Sequence, residues 1–155
     1  MKLRTLLFCL KEEEILLAMK KEGFGAGKWN GFGGKLEPGE DIFVGTVRET
    51  KEESTLIVKK EDILQVAHVH FYFAGKHKIE CYVFTTRKWE GEPQETREMR
   101  PQWFKISKIP YDEMWAADRV WVPKIIDGKK IKARVYFNES GNKMESIQME
   151  ETVFS

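Results

Sequence analysis

Three glutamates between positions 49 and 53 are the clearest candidates for chemistry in this sequence. Glu49, Glu52 and Glu53 are three and four residues apart, so a helix would bring their carboxylates to one face. Like charges at that spacing repel and destabilise a helix unless a cation lies between them. Carboxylate oxygens suit Mg²⁺, which commonly binds substrate phosphates as well. The spacing therefore predicts a metal–phosphate site, although a solvated acidic face with Glu–Lys pairs through Lys51 explains the same residues.

A glycine-rich segment precedes these acids. Residues 21–40 hold seven of the twelve glycines in the chain, a density that excludes regular helix or strand and predicts loops and turns. Gly34 and Glu40 lie in this segment, and Arg48 stands directly before Glu49. An arginine can hold a carboxylate in a bidentate ion pair and so orient the acidic cluster. A solvated helix would not need such a loop, so the loop favours the metal–phosphate site.

The segment 41–54 is predicted to be the helix that carries the acids. Asp41 is a suitable N-cap residue for it. Gly45 is a poor helix former and is tolerated where a helix packs closely against a neighbour. The buried face is expected to consist of Phe43, Val44, Val47 and Thr50.

Strand patterns lie on both sides of this helix. They cover residues 5–10, 15–20, 63–75, 78–89 and 103–106, with a closing hairpin over 132–151. Residues 75–77 are expected to form a hairpin turn, and a second helix within 114–128 is expected to be interrupted at Pro123. No internal repeat or linker divides the sequence. The pattern predicts one mixed α/β domain covering residues 1–155.

The composition restricts the class of protein. A chain of 155 residues, 41% hydrophobic and 33% charged, is typical of one soluble globular domain, and a net charge of +1 gives no basic field for nucleic acid. The apolar run 5–10 is too short for a membrane helix, and KEEE follows it in place of a signal-peptide cleavage site. Cys9 and Cys81 lack metal-ligand spacing, so we expect free thiols in a reducing, cytoplasmic compartment. We also expect a monomer.

The loop and the acidic helix together resemble the signature of the Nudix family, G-x5-E-x7-R-E-U-x-E-E-x-G-U, in which U is a bulky apolar residue. The corresponding stretch is GKLEPGEDIFVGTVRETKEESTL, residues 34–56, which matches at the glycine, the four glutamates, the arginine and the last apolar residue. Two positions differ. Thr50 replaces an apolar residue, which we expect to weaken packing of the helix's inner face, and Thr55 replaces the glycine that usually ends the helix.

The resemblance extends over residues 5–153, where the sequence is similar to the animal MutT-homologue branch of the family. The stretches that carry it are MKKEGFGAGKWNGFGGK, EMRPQWF and MWAADRVWVP. It implies an α/β/α sandwich around a mixed β-sheet. It also implies a pyrophosphohydrolase that converts oxidised purine nucleoside triphosphates, of the 8-oxo-dGTP and 2-oxo-dATP type, to monophosphate and pyrophosphate. Such an enzyme would sanitise the nucleotide pool, using Mg²⁺ or alternatively Mn²⁺.

The resemblance also implies roles for particular residues. The metal ligands would be Gly34, Glu49, Glu52, Glu53 and Glu98. Arg48 would orient the cluster, and Glu53 or Glu52 would activate water. Glu98 has two further readings, a base and an exposed loop acid.

A base pocket is implied as well. It would fall on Thr5, Leu6, Lys20, Phe24, Asn30, Phe71, Ile79, Trp115, Asp118 and Trp121, with Lys20 near the sugar and phosphates. Trp115 offers a π face, Asn30 can donate and accept, and Asp118 can accept or, if protonated, donate. Taken singly, each aromatic residue fits a hydrophobic core equally well. The family usually has two adjacent aspartates here, and Ala117 replaces the first, which would alter the preference for the base.

Other readings remain open. The same chemistry could act on another nucleotide, such as a methylated purine triphosphate, or the chain could be an inactive nucleotide- or RNA-binding module. A P-loop is excluded because no Ser or Thr follows either Gly-Lys pair, and the glycine spacing does not fit a dinucleotide fold. His68 and His70 alternate on a predicted strand and could form a metal pair, but the sequence offers no third ligand near them.

Overall fold

One mixed β-sheet forms the centre of the computed structural model, which describes residues 1–154. The strands are β1 Lys2–Leu10, β2 Glu14–Lys20, β3 Trp29–Asn30, β4 Ile63–Phe73, β5 Lys76–Thr86, β6 Met99–Lys105, β7 Ile131–Phe137 and β8 Met144–Glu151. Their order is β3-β2-β1-β5-β4-β7-β8, and β6 pairs with β2. The pairs β1–β5 and β4–β7 are parallel, and the other strand pairs are antiparallel. The two helices are α1 Ile42–Ser54 and α2 Asp118–Ile126.

The alternation of β1 shows why the sheet is covered on both faces. Leu7 and Cys9 point into a core cluster against which α1 packs. Leu6 and Phe8 point into the opposite cluster, which contains Trp121 of α2. Because side chains alternate along a strand, a continuously apolar strand requires cover on both sides. The predicted α/β/α sandwich around a mixed sheet is confirmed.

Helix α1 begins as predicted, but its buried face differs from the prediction. Asp41 is the N-cap, and its carboxylate accepts hydrogen bonds from two backbone N–H groups of the first turn. Val44 was expected to be buried and is 50% exposed. Thr50 is buried as predicted, and Thr46 and Ser54 are buried as well; the hydroxyls of all three donate to the carbonyl four residues earlier. Small hydroxyl residues can be buried here because the helix itself satisfies their hydrogen bonds.

Two other predicted boundaries were wrong. The turn between β4 and β5 is Ala74-Gly75, so Lys76 and His77 belong to the strand β5. Helix α2 continues through Pro123 instead of being interrupted there. The opening and closing hairpins were predicted correctly, since β1 pairs with β2 and β7 with β8.

The cysteines were expected to be free thiols, and no segment was expected to cross a membrane. Cys9 and Cys81 are buried free thiols, and burial raises the pKa of each to about 12. Neither helix of residues 1–154 combines the length and the apolar composition needed to cross a bilayer.

The residue that ends helix α1 has a strained backbone conformation. Thr55 follows the helix with φ of 67°, a left-handed conformation that β-branched residues rarely adopt, and its N–H donates to the carbonyl of Lys51. We expect Thr55→Gly to raise the free energy of unfolding by about 1 kcal/mol, because glycine adopts this conformation without a Cβ clash. Urea unfolding measures the change. Thr55→Ala keeps the Cβ and is the control; an equal gain in both variants would contradict the strain.

Candidate active site

The loop before α1 lies against β1 and α1 at distances that only glycine permits. Its backbone pairs with β1, where the N–H of Thr5 donates to the carbonyl of Gly34 at 2.9 Å. A Cβ on Gly33 would lie 1.8 Å from the carbonyl oxygen of Thr5, and one on Gly34 would lie 2.5 Å from Oε2 of Glu49. Neither glycine has a positive φ, so close approach is the reason for glycine at both positions. The backbone of this loop is thereby placed beside the acidic helix.

Glycine is also required inside the helix. A Cβ on Gly45 would lie 2.3 Å from Cδ2 of Leu36 and 3.0 Å from Oε1 of Glu40. The close packing expected at Gly45 is therefore present, and it brings Glu40 against α1.

Arg48 is the centre of the carboxylate cluster. Its Nε and Nη2 donate to the two oxygens of Glu40, both at 2.9 Å, in a bidentate pair. Its Nη1 donates to Glu49 at 2.9 Å and to Glu52 at 3.3 Å. The hydrogen bonds from Arg48 are the main reason that the pKa of Glu40 falls to about 2. One guanidinium thus holds three carboxylates on the same side of the helix.

Glu53 occupies a different environment from its neighbours. Its side chain is only 2% exposed and accepts a hydrogen bond from the N–H of Gly33 at 2.9 Å. The pKa of Glu53 is raised to about 8, mainly by burial and in smaller part by the negative charges of Glu49 and Glu98, while the hydrogen bond from Gly33 and the charge of Lys20 act to lower it. Burial is also the main cause of the raised pKa of Glu49. Both shifts show that burial disfavours the charged carboxylate more than the nearby hydrogen bonds and positive charges favour it.

The remaining acids lie nearer to solvent. Glu52 is 57% exposed, and Glu98 is exposed in the loop before β6. The carboxylates of this cluster do not bring three ligand atoms within 4.8 Å of one another in residues 1–154. All the donors are hard oxygens, and like charges raise the pKa values of the two buried acids. This donor set fits a hard divalent cation.

A cleft of about 870 Å³, including its open mouth, begins at Glu53 and extends towards α2. All ten residues predicted for the base pocket line it: Thr5, Leu6, Lys20, Phe24, Asn30, Phe71, Ile79, Trp115, Asp118 and Trp121. Glu53 is therefore the residue through which the carboxylate cluster meets this pocket.

Three buried polar atoms in the cleft lack a hydrogen-bond partner among the described residues. They are Oγ1 of Thr5, Oδ2 of Asp118 and Nε1 of Trp121. Burial raises the pKa of Asp118 to about 7, an effect that the nearby Trp121 indole and the charge of Lys28 partly offset. The indole influences the carboxyl without reaching the geometry of a full hydrogen bond. Since buried polar groups are almost always paired, these atoms are positioned to bind a ligand with donors and acceptors.

Aromatic rings form the mouth of the cleft. Phe24 is 53% exposed, and its ring centroid lies 5.1 Å from that of Trp115. The ammonium of Lys28 lies 5.2 Å from the centroid of the Trp115 ring. Asn30, deeper in the cleft, uses Oδ1 to accept a hydrogen bond from the N–H of Gly31, which leaves its amide N–H₂ available.

Sequence reasoning missed several residues of the cleft. Phe73 could have been found, because it alternates with Phe71 and must share its face of β4. Lys28 and Phe137 could not have been found from the sequence. The loop before β3 and the strand β7, which carry them, come to the cleft only in the folded structure. Ala117 is fully buried in the core beside α2 and is not among the residues that line the cleft.

Comparisons with known proteins agree with this geometry. The model of the NUDIX domain family matches residues 2–125. The oxidized purine nucleoside triphosphate hydrolase of Danio rerio is 44% identical over 142 residues, 91% of this chain and 88% of the relative. The protein of the same name from Mus musculus is 41% identical over 139 residues, 89% of this chain and 88% of the relative.

The fold has a solved counterpart as well. The crystal structure of the mMutator MutT protein from Bacillus halodurans superposes with a TM-score of 0.82 at 21% identity, covering 97% of this chain and 98% of the other. The family match over most of the sequence, together with the glycine loop and the acidic helix that the signature requires, shows that this chain belongs to the Nudix family.

Proposed function

We propose that this protein hydrolyses oxidised purine nucleoside triphosphates to the monophosphate and pyrophosphate in a reaction that requires Mg²⁺, with Mn²⁺ as the alternative ion. The observation that carries the proposal is the continuous cleft, which has a buried carboxylate at one end and unpaired polar atoms at the other. The names of the two animal relatives support the substrate class. Removing such nucleotides would sanitise the pool used for DNA synthesis.

The acidic end of the cleft is suited to the triphosphate. Oxygens of Gly34, Glu49, Glu52, Glu53 and Glu98 are the proposed ligands of the divalent ion. When bound, the ion would neutralise phosphate charge and lower the pKa of an attacking water. Arg48 would keep Glu49 and Glu52 directed towards the ion through the contacts it already makes. Lys20 lines the same end and supplies a positive charge for the phosphates.

Glu53 is the proposed acceptor of the proton from water. Of the α1 carboxylates, it is the one that lines the cleft, and the N–H of Gly33 holds one of its oxygens in place. Glu52 is the alternative, since it lies on the same helix one residue away, but it is mostly exposed. A base must lie within hydrogen-bond reach of the water it activates, which favours Glu53.

The opposite end of the cleft is suited to a purine. Trp115 offers an aromatic face, and Asn30 offers an amide N–H₂ to an acceptor on the base. With a pKa raised to about 7, Asp118 is partly protonated at neutral pH, so it can donate to a ring acceptor as well as accept from an N–H. Oxidation of a purine changes which ring positions donate and accept, and such a carboxyl can distinguish those patterns.

The compartment and the oligomeric state are inferred from the cysteines and from the cleft. Free buried thiols at Cys9 and Cys81 support a reducing compartment, for which we propose the cytoplasm. Because one chain supplies both ends of the cleft, we propose that it acts as a monomer.

A nucleotide panel tests the substrate. We expect kcat/KM for 8-oxo-dGTP and 2-oxo-dATP to exceed that for dGTP and dATP by at least about tenfold, with pyrophosphate as the released product. A methylated purine triphosphate belongs in the panel, because Ala117 leaves one usual carboxylate absent and thereby favours a second candidate substrate. Orthophosphate as the only product, or binding without turnover, would contradict the proposal.

Substitution of the box glutamates tests the base. We expect Glu53→Gln to lower kcat by about 10²–10⁴-fold while leaving base binding nearly intact, because the amide keeps the shape but cannot accept a proton. Glu52→Gln is the matched variant one residue away. Steady-state kinetics with saturating Mg²⁺ give kcat, and titration with a non-hydrolysable analogue gives the affinity. If Glu52→Gln is the more damaging change, Glu52 is the base.

The pH dependence of stability tests the state of Asp118. Its folded pKa of about 7 exceeds the ordinary value of 3.8, so its protonation stabilises the fold at low pH. This contribution is lost as the pH rises from about 4 to 7, on the order of 3 kcal/mol for a group buried this completely. We expect Asp118→Asn to reduce the fall in the free energy of unfolding across that range. Urea unfolding in EDTA measures it.

A matched control separates this effect from the loss of any nearby acid. Asp112 is 94% exposed, and Asp112→Asn should leave the pH dependence unchanged. Equal slopes in the wild type and Asp118→Asn would show that Asp118 titrates normally.

A further inference from the structure

All three histidines of the chain meet on one face of the β4–β5 hairpin. Nε2 of His68 lies 2.6 Å from Oε1 of Glu80, and Nδ1 of His70 lies 3.1 Å from Nε2 of His77. Tyr82 donates from its hydroxyl to the same Glu80 oxygen at 3.2 Å. The sequence placed His77 in a turn, and no local pattern connected it or Glu80 with the histidine pair.

This face is separate from the cleft. Side chains alternate along the strands, so Phe71 and Ile79 line the cleft while His68, His70 and Glu80 project from the opposite side of the sheet. The register shift between Phe71 and Tyr72 brings His77 to this opposite side as well. A second, open depression lies there, bordered by His68, His70 and residues of β7 and β8. A ligand on the histidine face would therefore not occupy the nucleotide site.

The arrangement of donors is that of a metal site. One ligand atom from each of His68, His70 and Glu80 lies within 4.8 Å of the other two, and this is the one such triad among residues 1–154. The side chains of His68 and Glu80 are 18% and 19% exposed, which allows an ion to enter yet limits their motion. Two imidazoles and one carboxylate are ligands of Zn²⁺ and similar transition ions, with water completing the coordination.

We propose that His68, His70 and Glu80 bind a divalent transition ion, represented by Zn²⁺, at a site distinct from the carboxylate cluster on α1. His77 is the outer partner that orients His70: its hydrogen bond to Nδ1 leaves Nε2 of His70 for the metal. Outer partners of this kind fix the ring orientation and the tautomer of metal-bound histidines. The ring of Tyr82 stacks on that of His68, with centroids 4.6 Å apart, and restrains the second imidazole.

The surrounding charges affect the strength of binding. Lys132 and Arg134 of β7 lie opposite His68 and His70 in the pairing of β4 with β7. Their positive charges would repel a metal ion, but both side chains are exposed and can extend into water. The cysteines do not compete for zinc, since both are buried thiols with raised pKa values.

Calorimetric titration of the full chain with Zn²⁺, in excess Mg²⁺ to occupy the carboxylate cluster, tests the proposal. We expect about one Zn²⁺ to bind per chain and to raise Tm. His68→Ala/His70→Ala should abolish this binding, and His77→Ala should weaken it by about tenfold or more, as loss of an outer partner does. Glu139→Gln, an exposed acid in the turn between β7 and β8, is the control and should bind Zn²⁺ like the wild type. Zinc binding that persists in the double variant, or is lost in Glu139→Gln, would overturn the proposal.

A second measurement needs no variant and so does not depend on the double variant folding. In the wild-type protein, ¹H–¹⁵N spectra of the imidazoles should show that Zn²⁺ shifts the ring nitrogens of His68 and His70. Unchanged ring signals at saturating Zn²⁺ would show that the cluster is only an ion pair and an aromatic stack.

Discussion

The close approach of the Gly33-Gly34 backbone to β1 and α1 is the constraint on which the site depends. It joins the sheet, the loop and the acidic helix within a few ångströms, with no room for a side chain at either position. The N–H of Gly33 reaches Glu53 only because the loop lies this close, and the position of Glu49 depends on the missing Cβ of Gly34. A rigid sheet therefore determines where the carboxylates lie.

Electrostatics in this site are divided between two kinds of acid. Glu40 is paired with Arg48 and has a lowered pKa, so it serves the structure. Glu49 and Glu53 have raised pKa values, chiefly because both are removed from water. The charge of Glu40 is thus compensated within the protein, whereas the two buried acids of α1 remain available for a cation.

Much of this arrangement could be predicted from sequence because it is local. The N-cap at Asp41 and the order of glycine, arginine and glutamates lie within one continuous stretch, and all the residues that the resemblance assigned to a base pocket line one cleft. The burial of Val44 was predicted wrongly because Thr and Ser were treated as polar. They can be buried on a helix when their hydroxyls donate to backbone carbonyls of the same helix. The contact of Glu80 with His68 joins two strands, and no periodicity within one strand reveals which residues lie opposite.

The β4–β5 hairpin serves two faces, and two irregularities in its pairing keep those faces distinct. Register shifts occur between Gln65 and Ala67 and again between Phe71 and Tyr72, while the pairs between them are regular. A slip of one residue would exchange the faces, exposing the wall of the cleft and burying the histidines. Bulges resist such slips because each has an unpaired residue that fits at only one position. Insertions or deletions in this segment would therefore remove both surfaces at once, whereas substitutions can alter one and spare the other.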